Sequence, residues 1–224
     1  MSEQHGKTDF MADFIGSHSI SEDDRRYFAS IEWTNKYLAD PLYKAIPTFS
    51  RTLKDTGEDY FFARTINSPD TIPHLLSLQL KDYPNPPESP KGQLKLRTNH
   101  SEPTEVPQHP ECVVLLSIGR PGLDGHPEVI HGGMACAILD EMMGLCAMLH
   151  QQHLPGPRGA LFTVGLNITY RAPVPTPGDV LVRSWLVGKE GRKWLSRGQI
   201  VDKNGKVLTE AEGMWVLTKR QEKL

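Results

Sequence analysis

The sequence predicts an α+β fold in which an antiparallel sheet is wrapped around a long central helix, with a helical N-terminal extension. Three observations predict it. Residues 130–149, IHGGMACAILDEMMGLCAML, carry apolar side chains on nearly every side of a helical period, the pattern of a helix enclosed by protein. Four stretches of strand character joined mostly by turn residues follow it, and at least one, CVVLLSI at Cys112–Ile118, precedes it. A helix that is apolar all round needs cover on several sides, which one curled antiparallel sheet supplies with help from a second copy.

In chain order, residues 1–20 are polar, show no sustained period and read as a mobile arm. Ser21 followed by Glu22, Asp23 and Asp24 is a hydroxyl cap with acids in the first turn, and Tyr27, Phe28, Ile31 and Leu38 recur at helical spacing. One helix to about Ala39 is expected, ended by Asp40-Pro41, with a short irregular or helical piece running on to Phe49. Within residues 57–80, FFARTI and LLSLQL are apolar runs separated by the turn composition Asn67-Ser68-Pro69-Asp70, and the second suits strand or helix. Residues 21–81 therefore read as an N-terminal extension, helical then mixed. From 82 to 110 prolines dominate (Pro84, Pro86, Pro87, Pro90, Pro103, Pro107, Pro110), a loop or linker that marks a boundary before a domain over 111–220.

In that domain Arg120-Pro121-Gly122 ends the first strand before the helix, and a loop at Pro155–Gly159 follows the helix. Phe162, Val164, Leu166, Ile168 and Tyr170 then alternate with Thr163, Gly165, Asn167 and Thr169, the plainest strand in the chain. Asp179–Val187, Trp194–Val201 and Val207–Leu217 complete the sheet, the last two joined through the hairpin dipeptide Asn204-Gly205.

Composition narrows the function. A net charge of −2 without a long basic run opposes nucleic acid as a partner. Three cysteines form no C-x-x-C pair, and Cys136 and Cys146, ten residues apart on one helix, stand about 15 Å apart along its axis, too far for a disulfide. No metal site is expected. The first residues, MSEQHGKTDF, have no apolar signal core, so a cytoplasmic location is expected. A membrane span is not, because Asp140 at the bilayer centre would cost roughly 2.5 kcal/mol or more.

The helix carries the chemistry. His131-Gly132-Gly133 lies at its start, where backbone N–H groups lack partners and the dipole is positive, a site for a carbonyl or oxyanion. Asp140 is an acid inside an apolar helix, and burial of a carboxylate without a role is uncommon. It follows Gly132 by eight residues, about 12 Å along the axis, so the two cannot act on one carbonyl. Two such helices antiparallel across a two-fold axis bring Gly132 of one chain beside Asp140 of the other, which predicts an obligate homodimer with composite sites. Dimer and tetramer both fit. Glu141, about 100° further round the helix, is expected to face elsewhere, and His131 is expected to bond the backbone rather than act as an acid.

The segments HGGMACAILD, FTVGLNITYRAPVP and EGRKW resemble the hotdog-fold acyl-CoA thioesterases of the PaaI-like and THEM4-like group, in the 4HBT superfamily, over about residues 110–218. The acid nine residues after the His and the Y-x-x-P that follows make the pattern specific. The resemblance implies a hotdog fold and hydrolysis of acyl-CoA to free acid and CoA. It implies that the Gly132 N–H, with Gly133 and His131 in the same turn, polarises the carbonyl while Asp140 of the other protomer activates water or attacks directly. It also implies that Thr163 orients the water and that Thr169, Arg171, Arg192, Lys193 and Arg197 contact CoA, whose phosphates suit cations. Arg197 departs from the small hydroxyl residue of relatives. No cofactor is implied, since CoA is part of the substrate. The alternative is a non-catalytic hotdog protein that binds acyl-CoA and regulates a partner. A serine hydrolase shares H-G-G but needs a G-x-S-x-G, absent here, and hotdog dehydratases space their acid differently from the His.

Overall fold

The structure is a computed structural model and describes residues 10–98, 101–152 and 159–218. Strands β1 (Tyr43–Ile46), β2 (His74–Leu80), β3 (Cys112–Ile118), β6 (Leu161–Tyr170), β7 (Gly178–Glu190), β8 (Lys193–Val201) and β9 (Val207–Leu217) form one antiparallel sheet in the order β1-β2-β3-β7-β8-β9-β6. β4 (Asp124–His126) and β5 (Val129–Ile130) make a separate two-stranded ribbon just before the long helix α4 (Gly132–Gln151). This is the hotdog arrangement: α4 lies against the inner face of the sheet, with Ile138, Leu139, Met142, Met143, Cys146 and Leu149 buried in one core with Val114, Leu116, Val182 and Trp194. By length and composition α4 could cross a membrane, but its apolar surface is spent on the sheet, and it is the core helix. Glycine at 198 permits the seating, since a Cβ there would come 2.7 Å from Met143 Cγ.

The other face of the sheet is covered as well. Helices α2 (Glu22–Ala29) and α3 (Glu32–Ala39) close over Val113, Leu115, Leu181 and Val201 through Phe28. β3 is thus buried on both faces, which explains why CVVLLSI is an unbroken apolar run rather than an alternation.

The N-terminal half departs most from expectation. In place of a mobile arm, residues 10–17 form helix α1 (Phe10–Ser17), whose Met11 and Phe14 are buried in the α4 core, Phe14 meeting Phe49 edge-on at 5.0 Å. Eight residues hold too few turns for a period to show. Residues 1–9 lie outside the described residues, as do Pro155–Arg158 of the loop after α4 and residues 219–220 at the domain's end. The single helix expected to Ala39 is two. Ser21 caps α2 by accepting the Asp24 N–H at 3.2 Å, then extended Ile31 breaks the run, and the buried Thr34 hydroxyl bonds back across the break to the carbonyls of Phe28 and Ile31.

After Asp40-Pro41 the chain is strand β1 rather than irregular or helical, held by pairing with β2 (Tyr43 opposite Leu80). FFARTI is a turn of π-helix at Phe61–Thr65, and LLSLQL is strand β2. Among its described residues the Pro-rich stretch 82–110 carries no named strand or helix, yet it does not separate two sheets, because β1 and β2 continue the sheet of β3. It lies across the sheet instead: Leu94 packs on Leu195 and Met214, and the Thr104 N–H donates to Glu210 at 2.8 Å. Prolines report a missing ladder, not missing contacts.

Candidate active site

His131 is the N-cap of α4. In extended conformation it accepts the Gly133 N–H on Nδ1 at 3.0 Å, and its carbonyl accepts the Met134 and Ala135 N–H groups at 2.9 and 3.2 Å. That separates the two glycines. The Gly133 N–H is engaged by the cap, whereas the Gly132 N–H makes no hydrogen bond among the described residues and points from the positive end of a twenty-residue helix. His131 bonds the backbone, as expected of it.

Tyr170, expected as a strand residue and as the tyrosine of Y-x-x-P, belongs to this turn. Its hydroxyl donates to the Gly132 carbonyl at 2.9 Å, and a Cβ on Gly132 would come 3.3 Å from that oxygen. The Gly132 carbonyl and the Gly133 N–H are the two sides of one peptide unit. Tyr170 and His131 therefore grip that unit from opposite ends and set the direction of the turn.

Asp140 sits two turns further along, at the other half of the site. Thr163 Oγ1 donates to its Oδ1 at 2.8 Å, which brings together two residues 23 apart in the chain and fixes one carboxylate oxygen. Both border a cavity of about 560 Å³. Gly144 and Met148 of α4, Leu161 of β6 and Trp215 of β9 supply more of its wall, and Met11, Phe49 and Asp59 of the N-terminal half close it. Glu141 lines the same cavity, contrary to the expectation that it faces elsewhere; the space is wide enough to be bordered by consecutive helix residues. Burial pushes its carboxyl up to about 7, a rise opposed by the Ser50 hydroxyl and Lys54 and reinforced by Asp59 and Asp140.

Four of the five residues expected along CoA fall at two ends of the sheet, and Arg197, opposite Glu212, lies between them. Phe162 pairs with Val216, which pairs with Lys193, while Thr169 pairs with Glu210. Seven residues of strand, about 23 Å, thus separate the Arg192–Lys193 end, beside Thr163, from the Thr169–Arg171 end, beside Tyr170 and Gly132. Arg192 donates to the Leu217 carbonyl at 3.0 Å, and Lys193 is exposed. Arg171 and Arg197 are each tied to a buried glutamate, Arg171 Nε to Glu210 at 3.0 Å and Arg197 Nε to Glu212 at 2.8 Å. Burial alone would raise the Glu210 carboxyl, but the Thr104 N–H, Arg171 and Gln199 hold it below the usual range. The two glutamates in turn accept the Thr104 and Arg97 N–H groups and so hold the Pro-rich stretch to the sheet.

One group among the described residues has the makings of a metal site: Glu111, Cys146 and His150, with ligand atoms all within 4.8 Å of one another. The donors fit a hydrogen-bonded cluster better. Glu111 Oε2 already takes the Leu186 N–H at 2.7 Å, His150 Nε2 at 2.6 Å and the Cys146 thiol at 3.5 Å, and burial pushes that thiol well up, away from the thiolate a metal needs.

Residues 128–209 match the family described as the thioesterase superfamily. The acyl-coenzyme A thioesterase THEM4 of Mus musculus is 36% identical over 104 residues, which cover 46% of this chain and 42% of that protein. Verlamelin biosynthesis protein B of a Lecanicillium species is 26% identical over 179 residues, 70% of this chain and 71% of that one. The structure of zebra fish thioesterase superfamily member 2 aligns with a TM-score of 0.43 at 19% identity over 48% of this chain and 74% of that chain. The chain spans less than half the length of the THEM4 proteins it matches.

Proposed function

We propose that this protein is an acyl-CoA thioesterase, which releases free acid and CoA from a site shared by two subunits, a reading supported by the match of residues 128–209 to the thioesterase superfamily. One observation carries the reading. The unengaged Gly132 N–H and the Thr163-held Asp140 are complementary halves of one acyl-transfer site, yet one stands at the start of the helix and the other two turns along it.

A second copy related by a two-fold axis resolves this. β6 is an edge strand with Phe162 and Val164 about 60% exposed (59% and 61%) and Tyr170 exposed at its far end, an unpaired apolar edge of the kind that pairs with its own mate. Antiparallel pairing there aligns the Asp140, Thr163, Arg192 and Lys193 end of one chain with the Gly132, Tyr170, Thr169 and Arg171 end of the other. The acyl carbonyl is held by the Gly132 N–H of the partner subunit. Asp140 takes a proton from water as the oxygen bonds to the carbonyl carbon, the C–S bond breaks as the oxyanion collapses, and the proton passes to the departing thiolate. Direct attack by Asp140 uses the same carboxylate, through an anhydride that water opens; a single turnover in isotopically labelled water separates the two routes, since only the anhydride route leaves label in Asp140.

A free-thiol assay across acyl-CoA chain lengths tests the reading. Thiol release that Asp140→Asn abolishes supports it, and binding of acyl-CoA without release would make this a binding protein instead. A fully active monomer, measured by solution mass, would overturn the shared site.

A further inference from the structure

The cavity beside Asp140 is not uniformly apolar. Met11, Met148 and Trp215 close it with apolar surface, but Glu141 stands next in the chain to Asp140 and joins it, Glu58 and Asp59 in the wall. The Glu141 carboxyl is largely withdrawn from water and forms no salt bridge among the described residues. The nearby cation, Lys54, is committed elsewhere: it pairs with Asp59, and its ammonium lies 3.5 Å from the centre of the Phe49 ring. The Ser50 hydroxyl, itself buried, stands beside Glu141 and lowers its carboxyl only in part against the effect of burial. A carboxyl so placed costs stability unless something bonds it, and Gln or Leu would serve the packing as well.

A bound acyl chain sharpens the matter. A plain alkyl chain filling this space displaces water and leaves Glu141 facing hydrocarbon, with Ser50 alone to bond it. A chain with a hydroxyl supplies both a donor and an acceptor, and either form of a carboxyl can use them. Asp140 and Glu141 line one cavity and the Asp140 charge reaches the Glu141 carboxyl, so a group bonded by Glu141 lies nearer the carbonyl on which Asp140 acts than the distal end of the chain.

We propose that Glu141 is the specificity-determining residue of this cavity, selecting acyl chains hydroxylated near the thioester over unsubstituted chains of the same length. The proposal rests on the thioesterase reading and deepens it. The N-terminal half takes part, because Met11, Phe49 and Asp59 close the wall that encloses Glu141.

The test compares kcat/KM for β-hydroxybutyryl-CoA against butyryl-CoA and β-hydroxyoctanoyl-CoA against octanoyl-CoA by thiol release, with the full chain and its Glu141→Gln and Glu141→Leu variants. The wild type is expected to favour the hydroxylated member of a pair by about tenfold or more. Glu141→Gln, which keeps a donor and an acceptor, retains most of that ratio, and Glu141→Leu brings it to about one. Equal or lower kcat/KM for the hydroxylated members in the wild type overturns the proposal, and this needs no variant to fold. So does an unchanged ratio in a Glu141→Leu protein with the wild-type circular dichroism spectrum. No release from any of the four substrates counts against the thioesterase reading itself, a failure distinct from activity without preference.

Discussion

Two places in this molecule bury a carboxyl against α4, and they are built in opposite ways. At the C-terminal turn, Glu111 is surrounded by donors: the Leu186 N–H, His150 and the Cys146 thiol all converge on one oxygen, and Tyr83 bonds the Cys146 carbonyl at 3.2 Å alongside. The carboxylate is thus fully engaged, and the polar atom left unpartnered beside it, His150 Nδ1, is buried. In the middle of the helix, Thr163 donates to Asp140, and Glu141 has the Ser50 hydroxyl beside it but no salt bridge among the described residues, although both acids border an open cavity. A buried acid saturated by its own fold holds the fold together; an unsaturated one beside a cavity is kept for something that binds there.

The largest effect that could break this contrast is at Asp140. Asp140→Asn should lower kcat by about 10²- to 10⁴-fold with little change in melting temperature, and a variant of wild-type rate would end the assignment. Glu111 should behave in reverse. Glu111→Ala leaves the Leu186 N–H, His150 and Cys146 without their acceptor, and is expected to cost about 3 kcal/mol or more in chemical denaturation, with any activity loss following the folded fraction.

Glu141 sharpens the comparison through pH. The folded carboxyl titrates at about 7 against the ordinary 4.5, so between those values the folded state holds the extra proton. The sign is therefore the reverse of the usual carboxylate case: stability falls as pH rises from 4.5, and the loss is complete above about 7. Glu141→Gln should be more stable than wild type above neutrality by up to about 3 kcal/mol, the gain fading towards pH 4.5; parallel denaturation curves across that range would show that the buried acid carries no such cost. The smallest effect belongs to Tyr170→Phe. Loss of one exposed hydrogen bond to the Gly132 carbonyl should lower kcat by about tenfold or less and leave stability and KM nearly unchanged, measured by steady-state kinetics on the dimer.

The C-terminal half was legible for a physical reason. α4 and β6 to β9 are long, their apolar periods repeat several times, and their turns are written in Gly, Asn and Pro, so local sequence and tertiary demand agree. The N-terminal half is made of short pieces whose state is decided from outside. Residues 10–17 are helical because Met11 and Phe14 find the α4 core, and Tyr43–Ile46 is a strand because β2 offers an edge. Neither condition is visible locally. The same holds for the Pro-rich stretch, whose contacts with Glu210 and Glu212 are 106 and 115 residues distant.

By itself, the sequence determined that one apolar helix carries a glycine turn and an acid too far apart to serve one carbonyl, because helical rise is a local constant that no packing alters. The tertiary structure decided which groups at those points are unengaged. The His131 ring takes the Gly133 N–H and leaves that of Gly132, Thr163 comes to Asp140 from across the sheet, and an N-terminal wall turns Glu141 from an expected bystander into part of the cavity. Each depends on partners distant in the chain or on a rotamer set by its surroundings, and spacing along the chain encodes neither.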